Sequence, residues 1–222
     1  MKTLFHAVMV SILLAVPKLV LAAQIPVHNT GVDASDVLVA SGAQAAFWTL
    51  SAKPAGAVPA IGSYPYRYYN GAYFADTATA AWVSPQAGGA AGVMGAYTYD
   101  LVIDLTGLDP STAVISGVFG TDNDGAIWLN GNAPVATTGF AGFGATTPFT
   151  ITSGFVSGVN TLHVQVNNGG DPTAFFVSFT SATAAPLPGP PAMIPATSWP
   201  VLGGLSLLLL LTTLAALRQR RV

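Results

Sequence analysis

Three stretches of this 222-residue chain carry side chains that could do chemistry. The first is Thr121-Asp122-Asn123-Asp124-Gly125. Hard cations such as Ca2+ are held by several oxygens, and Asp122 and Asp124 would supply carboxylates. The stretch lacks the EF-hand loop pattern, and the chain has no Glu to close one. The same residues also suit a plain turn, since Asp and Asn bond their own backbone and Gly125 supplies unusual dihedrals. Both readings stand, Ca2+ ligation and turn. The second stretch is Tyr64 to Phe74, with six aromatics. Aromatic faces stack on the C–H faces of sugar rings, and polar neighbours fix hydroxyls. Tyr66, Arg67, Tyr68 and Asn70 would form such a platform, with Asp76 nearby; core and edge packing is the alternative. The third is Asn167, Asn168 and Asp171, in a polar stretch before the last strand, where ligand sites and turns are both common.

Other chemistry is poorly served. Without cysteine there are no thiolate metal sites and no disulfides. His28 and His163 are the only histidines after position 6, too few for a histidine metal cluster. No Ser-His-Asp arrangement and no outstanding carboxylate pair can be drawn, so the expectation is a non-catalytic protein without a cofactor, Ca2+ aside.

These residues must be positioned by strands. Tyr97, Tyr99, Leu101, Ile103 and Leu105 alternate with Thr98, Asp100, Asp104 and Thr106, the period of a half-buried strand. Gly107-Leu108-Asp109-Pro110 reads as a turn, and Asn130-Gly131 as a type I′ hairpin turn. Further strands are expected at Phe47–Leu50, Trp82–Ser84, Pro148–Thr152, Leu162–Asn167 and Ala174–Thr180. On the fourth of these Leu162, Val164 and Val166 face inward and His163, Gln165 and Asn167 outward. Phe175, Val177 and Phe179 share one face of the last. Residues 24–43 are thinly patterned, and 133–144 reads as a loose connection. No capped helical repeat occurs between Gln24 and Pro186. The fold class is all-β, a sandwich or barrel.

The ends read as addresses. Met1-Lys2, an apolar run and Ala22-Ala23 make a secretory signal over residues 1–23, cut after Ala23 or Ala22; an uncleaved anchor is the alternative. Residues 24–183 form the β domain, and 184–193 a Pro-rich linker of polyproline type. Residues 201–217 are an uncharged, Leu-rich run long enough to span a bilayer, followed by Arg218, Arg220 and Arg221, which keep that end cytoplasmic.

With its Ile194-Pro195 and Trp199 ahead of a spanning helix and an arginine cluster, segment 194–222 resembles bacterial C-terminal sorting signals of the PEP-CTERM type, in the variant whose motif begins Ile-Pro-Thr-Leu. Pro200 stands where that motif has Gly. The resemblance implies an exosortase-type membrane enzyme as partner, transient anchoring in the inner membrane, and delivery to the cell surface or matrix. Retention as a tail-anchored protein is the alternative. From Asn29 to Phe179 the chain is similar to galactose-binding-like jelly-roll domains. The words that carry this include Trp48-Thr49-Leu50, Trp82-Val83-Ser84-Pro85, Leu105-Thr106-Gly107, Leu129-Asn130-Gly131 and Val166-Asn167-Asn168. That resemblance implies carbohydrate binding.

All nine acidic residues are Asp in the middle segment, where only Lys53 and Arg67 are basic, so the exported part carries −7. A negative field repels phosphate backbones and excludes nucleic acid as partner. The expected function is an exported, surface-sorted sandwich that binds carbohydrate or matrix polysaccharide. A structural matrix component without a specific ligand is the alternative.

Overall fold

The computed structural model describes residues 21–90 and 92–189. The chain divides into two units, 1–187 and 188–222, and the first holds the fold. The apolar run of the N-terminal signal lies outside the described residues. So do Ile194, Pro195, Trp199, the expected helix 201–217, and Arg218, Arg220 and Arg221. Among the described residues no helix is long and apolar enough to cross a membrane.

The described residues of the first unit are all-β: two antiparallel sheets face each other, with one short 3-10 helix among them at Pro110–Thr112. The strands are β1 (Ala23–Gln24), β2 (Trp48–Ala52), β3 (Tyr66–Arg67), β4 (Val83–Ser84), β5 (Gly95–Asp104), β6 (Val114–Asp122), β7 (Asp124–Leu129), β8 (Ala136–Thr138), β9 (Thr147–Ile151), β10 (Val159–Asn168) and β11 (Ala174–Ala184). The first sheet has the order β3-β4-β11-β6-β9, with β1 also paired to β11; the second has the order β2-β5-β10-β7-β8. From β5 onward the chain passes repeatedly between the sheets, so neighbours in sequence often belong to opposite layers.

Period-two patterning builds the space between the layers. On β10, Leu162, Val164 and Val166 are buried while His163, Gln165 and Asn167 are only partly covered. On β5, Tyr97, Tyr99, Leu101 and Ile103 are buried. Both strands run their full length in register, Asp104 against Val159 and Gly95 against Asn168. Trp48, Leu50, Ile115, Phe119, Phe175 and Val177 complete the main core. Each such side chain removed from water contributes about 1.5–3 kcal/mol, offset by the entropy of ordering the chain.

Four sequence expectations change. The last strand extends to Ala184, past a shift in register between Phe179 and Ser181. The 133–144 stretch contains β8, which pairs with β7 as Ile127 with Ala136 and Gly125 with Thr138. The hairpin after β7 therefore closes over residues 130–135, not over a two-residue Asn130-Gly131 turn. Asn130 does sit in the left-handed region, φ +53. Its amide instead laces three loops together, donating to Gly154 O and Asn160 Oδ1 and accepting from Thr161 N. Last, residues 25–46 are held by side chain–backbone bonds more than by a ladder. The Thr30 hydroxyl donates to Ala81 O at 2.7 Å and accepts from Val177 N at 3.0 Å. Such bonds carry no periodicity, which is why the stretch looked unpatterned.

A second, smaller core lies on the other face of β11. Phe176 is buried there with Tyr73, Trp82, Ala80 and Ala174, and Tyr68, Phe74, Val118 and Phe143 pack around them. The near-continuous run Ala174 to Val177 is thus buried on both faces, as such runs generally are.

Candidate functional site

β6 and β7 are joined by Asn123 alone, and β10 and β11 by residues 169–173. Both connections lie at the same end of the sandwich, because Asp122 pairs with Ala174 and Asp124 with Asn167. The segment after β8 begins at this end too, since Thr138 pairs with Gly125. Between these connections and the turn at Asn70–Tyr73 lies a cavity of about 340 Å³. It is the point at which the three stretches singled out by their chemistry converge.

The floor is Tyr73, Asp122 and Asn123. The Tyr73 hydroxyl donates to Asp122 Oδ2 at 2.7 Å, and Asn123 Nδ2 donates to Asp122 Oδ1 at 3.0 Å. Asn123 Oδ1 in turn accepts from Gly169 N at 2.7 Å, which ties the two connections together. Thr173 Oγ1 donates to the Asp122 carbonyl. The Asp122–Asn123 and Asp171–Pro172 peptides are cis. Asp122 is only 5% exposed, and burial pushes its carboxyl above the usual range; the Tyr73 bond pulls the other way without cancelling it. Burial likewise pushes the Tyr73 hydroxyl far up, reinforced by the Asp122 carboxylate, so it stays a donor at all ordinary pH.

Phe140 and Phe143 form walls with Pro172, and Asn70 and Asp171 stand at the rim. Phe140 is 69% exposed, a large aromatic left in water beside a concavity. Phe143 is anchored: its carbonyl accepts from Phe74 N, and its ring lies 5.9 Å from that of Tyr73. Asp171 Oδ1 accepts from Gly92 N.

The other residues expected at a site are placed elsewhere. Arg67 donates to Val39 O at 2.6 Å and to Asp76 Oδ2 at 3.0 Å, and Asp76 Oδ1 accepts from Trp82 N. Arg67 is therefore a clamp on the second core, not a hydroxyl reader in the cavity. Tyr66 pairs with Ser84 in the β3–β4 ladder. The ring of Tyr68 lies flat on Gly89, so close that a Cβ there would come within 2.2 Å of it. That face is closed to a sugar. Tyr66 and Tyr68 are thus taken up in pairing and packing, while Arg67 lines a separate cavity with Ser41, Tyr69, Ala75 and Asp76. The second core uses the Tyr68 ring as part of its cover. Asn167 donates to Asp124 Oδ2 across the β10–β7 pair, and Asn168 is buried, donating to Val93 O and accepting from Gly170 N. Both amides hold strand ends.

The carboxylates of Asp122 and Asp124 have separate partners, Tyr73 with Asn123 for one and Asn167 for the other. Among the described residues, no three His, Cys, Asp or Glu side chains gather as a metal site. Of the sequence candidates, Asn70, Asp122 and Asp171 meet in the cavity. Sequence reading passed over Tyr73, Asn123, Phe140 and Phe143 as site residues. The stretch Gly139-Phe140-Ala141-Gly142-Phe143-Gly144 did hold a signal, two large aromatics among glycines with no strand to bury them.

Arg67→Ala tests the reassignment of that residue. The pair is partly buried and Arg67 also holds Val39, so its loss is expected to cost about 1–3 kcal/mol by thermal melting. Ligand binding by the folded fraction should not change.

The chain matches no known protein family, no curated protein and no solved structure.

Proposed function

We propose that this protein is an exported, surface-sorted jelly-roll domain of galactose-binding-like type that binds carbohydrate in the cavity at the Asn123 end. The single observation that carries the reading is the convergence there of an exposed aromatic, Phe140, with a buried, hydrogen-bonded polar floor. Sugar sites combine these two features: a ring face for the C–H surface and fixed polar groups for hydroxyls. The role is binding, not catalysis.

The path of the chain supports a tethered binder. β11 starts at the cavity and runs eleven residues to Ala184, about 35 Å away at roughly 3.3 Å per residue. At that far end Ala184 pairs with Ala23, and Leu187 N donates to Gly107 O. Both ends of the fold therefore leave it opposite the cavity. A signal over 1–23 and a sorting segment over 194–222, processed by an exosortase-type enzyme, would deliver the domain to the surface or matrix.

A glycan array with the full chain in detergent tests this. Saturable binding is expected, and Phe140→Ala should weaken it at least tenfold with the melting temperature unchanged, because that ring is mostly in water. Binding unaffected by Phe140→Ala would remove the cavity from the account. One observation favours the second reading, a structural matrix component: Arg67, Tyr68, Asn167 and Asn168 are all taken up in internal contacts. Silence on the array with loss of matrix in a deletion strain would favour it.

A further inference from the structure

The charge of the cavity narrows the sugar, granted the carbohydrate reading above. Among the described residues, no basic side chain lines it. Lys53 is bonded to Ala57 O and Arg67 to Asp76, and neither reaches its walls. Two carboxylates do line it, Asp122 at the floor and Asp171 at the rim. The partners of the Asp122 oxygens are a phenol and an amide, neutral donors that satisfy hydrogen bonding but leave its negative charge uncompensated. A buried carboxylate without a counter-cation is costly, and here burial raises its pKa, as expected of a charge lacking a counter-ion. Around it stand three aromatic rings, Tyr73, Phe140 and Phe143, whose faces are electron-rich.

Aromatic faces and carboxylates in one concavity suit an organic ammonium: the rings attract it by cation–π interaction and the carboxylate supplies the ion pair. A uronic acid would bring a third negative charge into a site with no positive one among the described residues. We infer that the cavity takes a pyranose carrying a free, protonated amine, a de-N-acetylated amino sugar, in preference to its N-acetylated form and to acidic sugars. A volume of about 340 Å³ with the exposed Phe140 ring among its lining has room for a sugar ring.

The experiment is calorimetric titration of the full chain in neutral detergent micelles with four probes: a glucosamine tetramer, the same tetramer fully N-acetylated, a uronic acid tetramer, and an oligolysine of equal charge. The glucosamine tetramer is expected to bind at least tenfold more tightly than the acetylated one, with no detectable binding of the uronic acid. Asp171→Asn should reduce that preference severalfold. Phe140→Ala, which changes no charge, should abolish binding of the glucosamine tetramer and so separates the cavity from general attraction to a negative protein. Equal or tighter binding of the acetylated or acidic tetramer overturns the inference and leaves the carbohydrate reading standing. Oligolysine binding as tightly as the amino sugar also overturns it, as does a preference that survives both substitutions. Failure of every glycan to bind here and on the array overturns the carbohydrate reading and this inference with it.

Discussion

Trp82→Ala is expected to lower stability by about 3–5 kcal/mol and to abolish ligand binding even in the molecules that remain folded. Trp82 is fully buried, but not between the sheets. Its indole is the centre of the second core, with ring centroids 4.5 Å from Tyr73, 4.7 Å from Phe74 and 5.8 Å from Phe176. Its Nε1 donates to Phe74 O and its backbone N to Asp76, so the side chain also pins the segment that covers β11. Truncation leaves a cavity behind Tyr73, and Tyr73 is the floor of the site. Trp48→Ala is the control. That indole is equally buried and sits edge-on to Phe175 in the main core, with Nε1 donating to His28 O. A similar loss of stability is expected there, but with binding retained by the folded fraction at a temperature well below its melting point. Equal loss of binding in both variants would mean that the site has no special dependence on the second core.

Tyr73→Phe should cost about 1–3 kcal/mol near neutral pH, read from denaturant midpoints, because it leaves a buried carboxylate oxygen without its donor. The pH dependence follows from the direction of the Asp122 shift. Burial raises its carboxyl in the folded state, so ionising it opposes folding. Its favourable contribution is fully present below the unfolded carboxylate value and is lost as pH rises through the raised folded value. The Tyr73 bond lowers the carboxyl, so Tyr73→Phe should raise it further and steepen that loss. Asp122→Asn removes the titration and should flatten the profile across the same window. A stability difference between Asp122→Asn and the parent that is independent of pH would contradict the burial argument. Cation binding runs with the charge: affinity for an amino sugar should fall as pH drops through the Asp122 value.

Half of the site is legible in the sequence. Asp122, Asn70 and Asp171 are legible from residue type alone, each for a different reason. By residue type Asp122 suits a metal ligand beside Asp124. The strand ends send the two carboxylates to different partners, Tyr73 and Asn167, and a spacing of two in sequence could not reveal that. Arg67 and Tyr68 have the chemistry of a sugar site but serve as clamp and cover, because residues 66–82 fold back over the outside of the first sheet. Phe140 and Phe143 lie in a stretch without alternation, where periodicity carries no information about their role.

From its own residues the chain determines the strands of the main core and the class of the fold. Alternation such as Leu162, Val164, Val166 against His163, Gln165, Asn167 is local, and a one-residue slip would place the whole apolar set in water. The same holds for the turn residues that end those strands. Only the tertiary structure decides that β11 is buried on both faces, that Trp82 belongs to a separate core, and that residues 70–73, 122–123, 140–143 and 169–172 meet in one cavity. Those contacts join segments up to about a hundred residues apart. Their energy depends on which layer each strand joins, a choice that period-two patterning leaves open because it distinguishes inside from outside and not one sheet from the other.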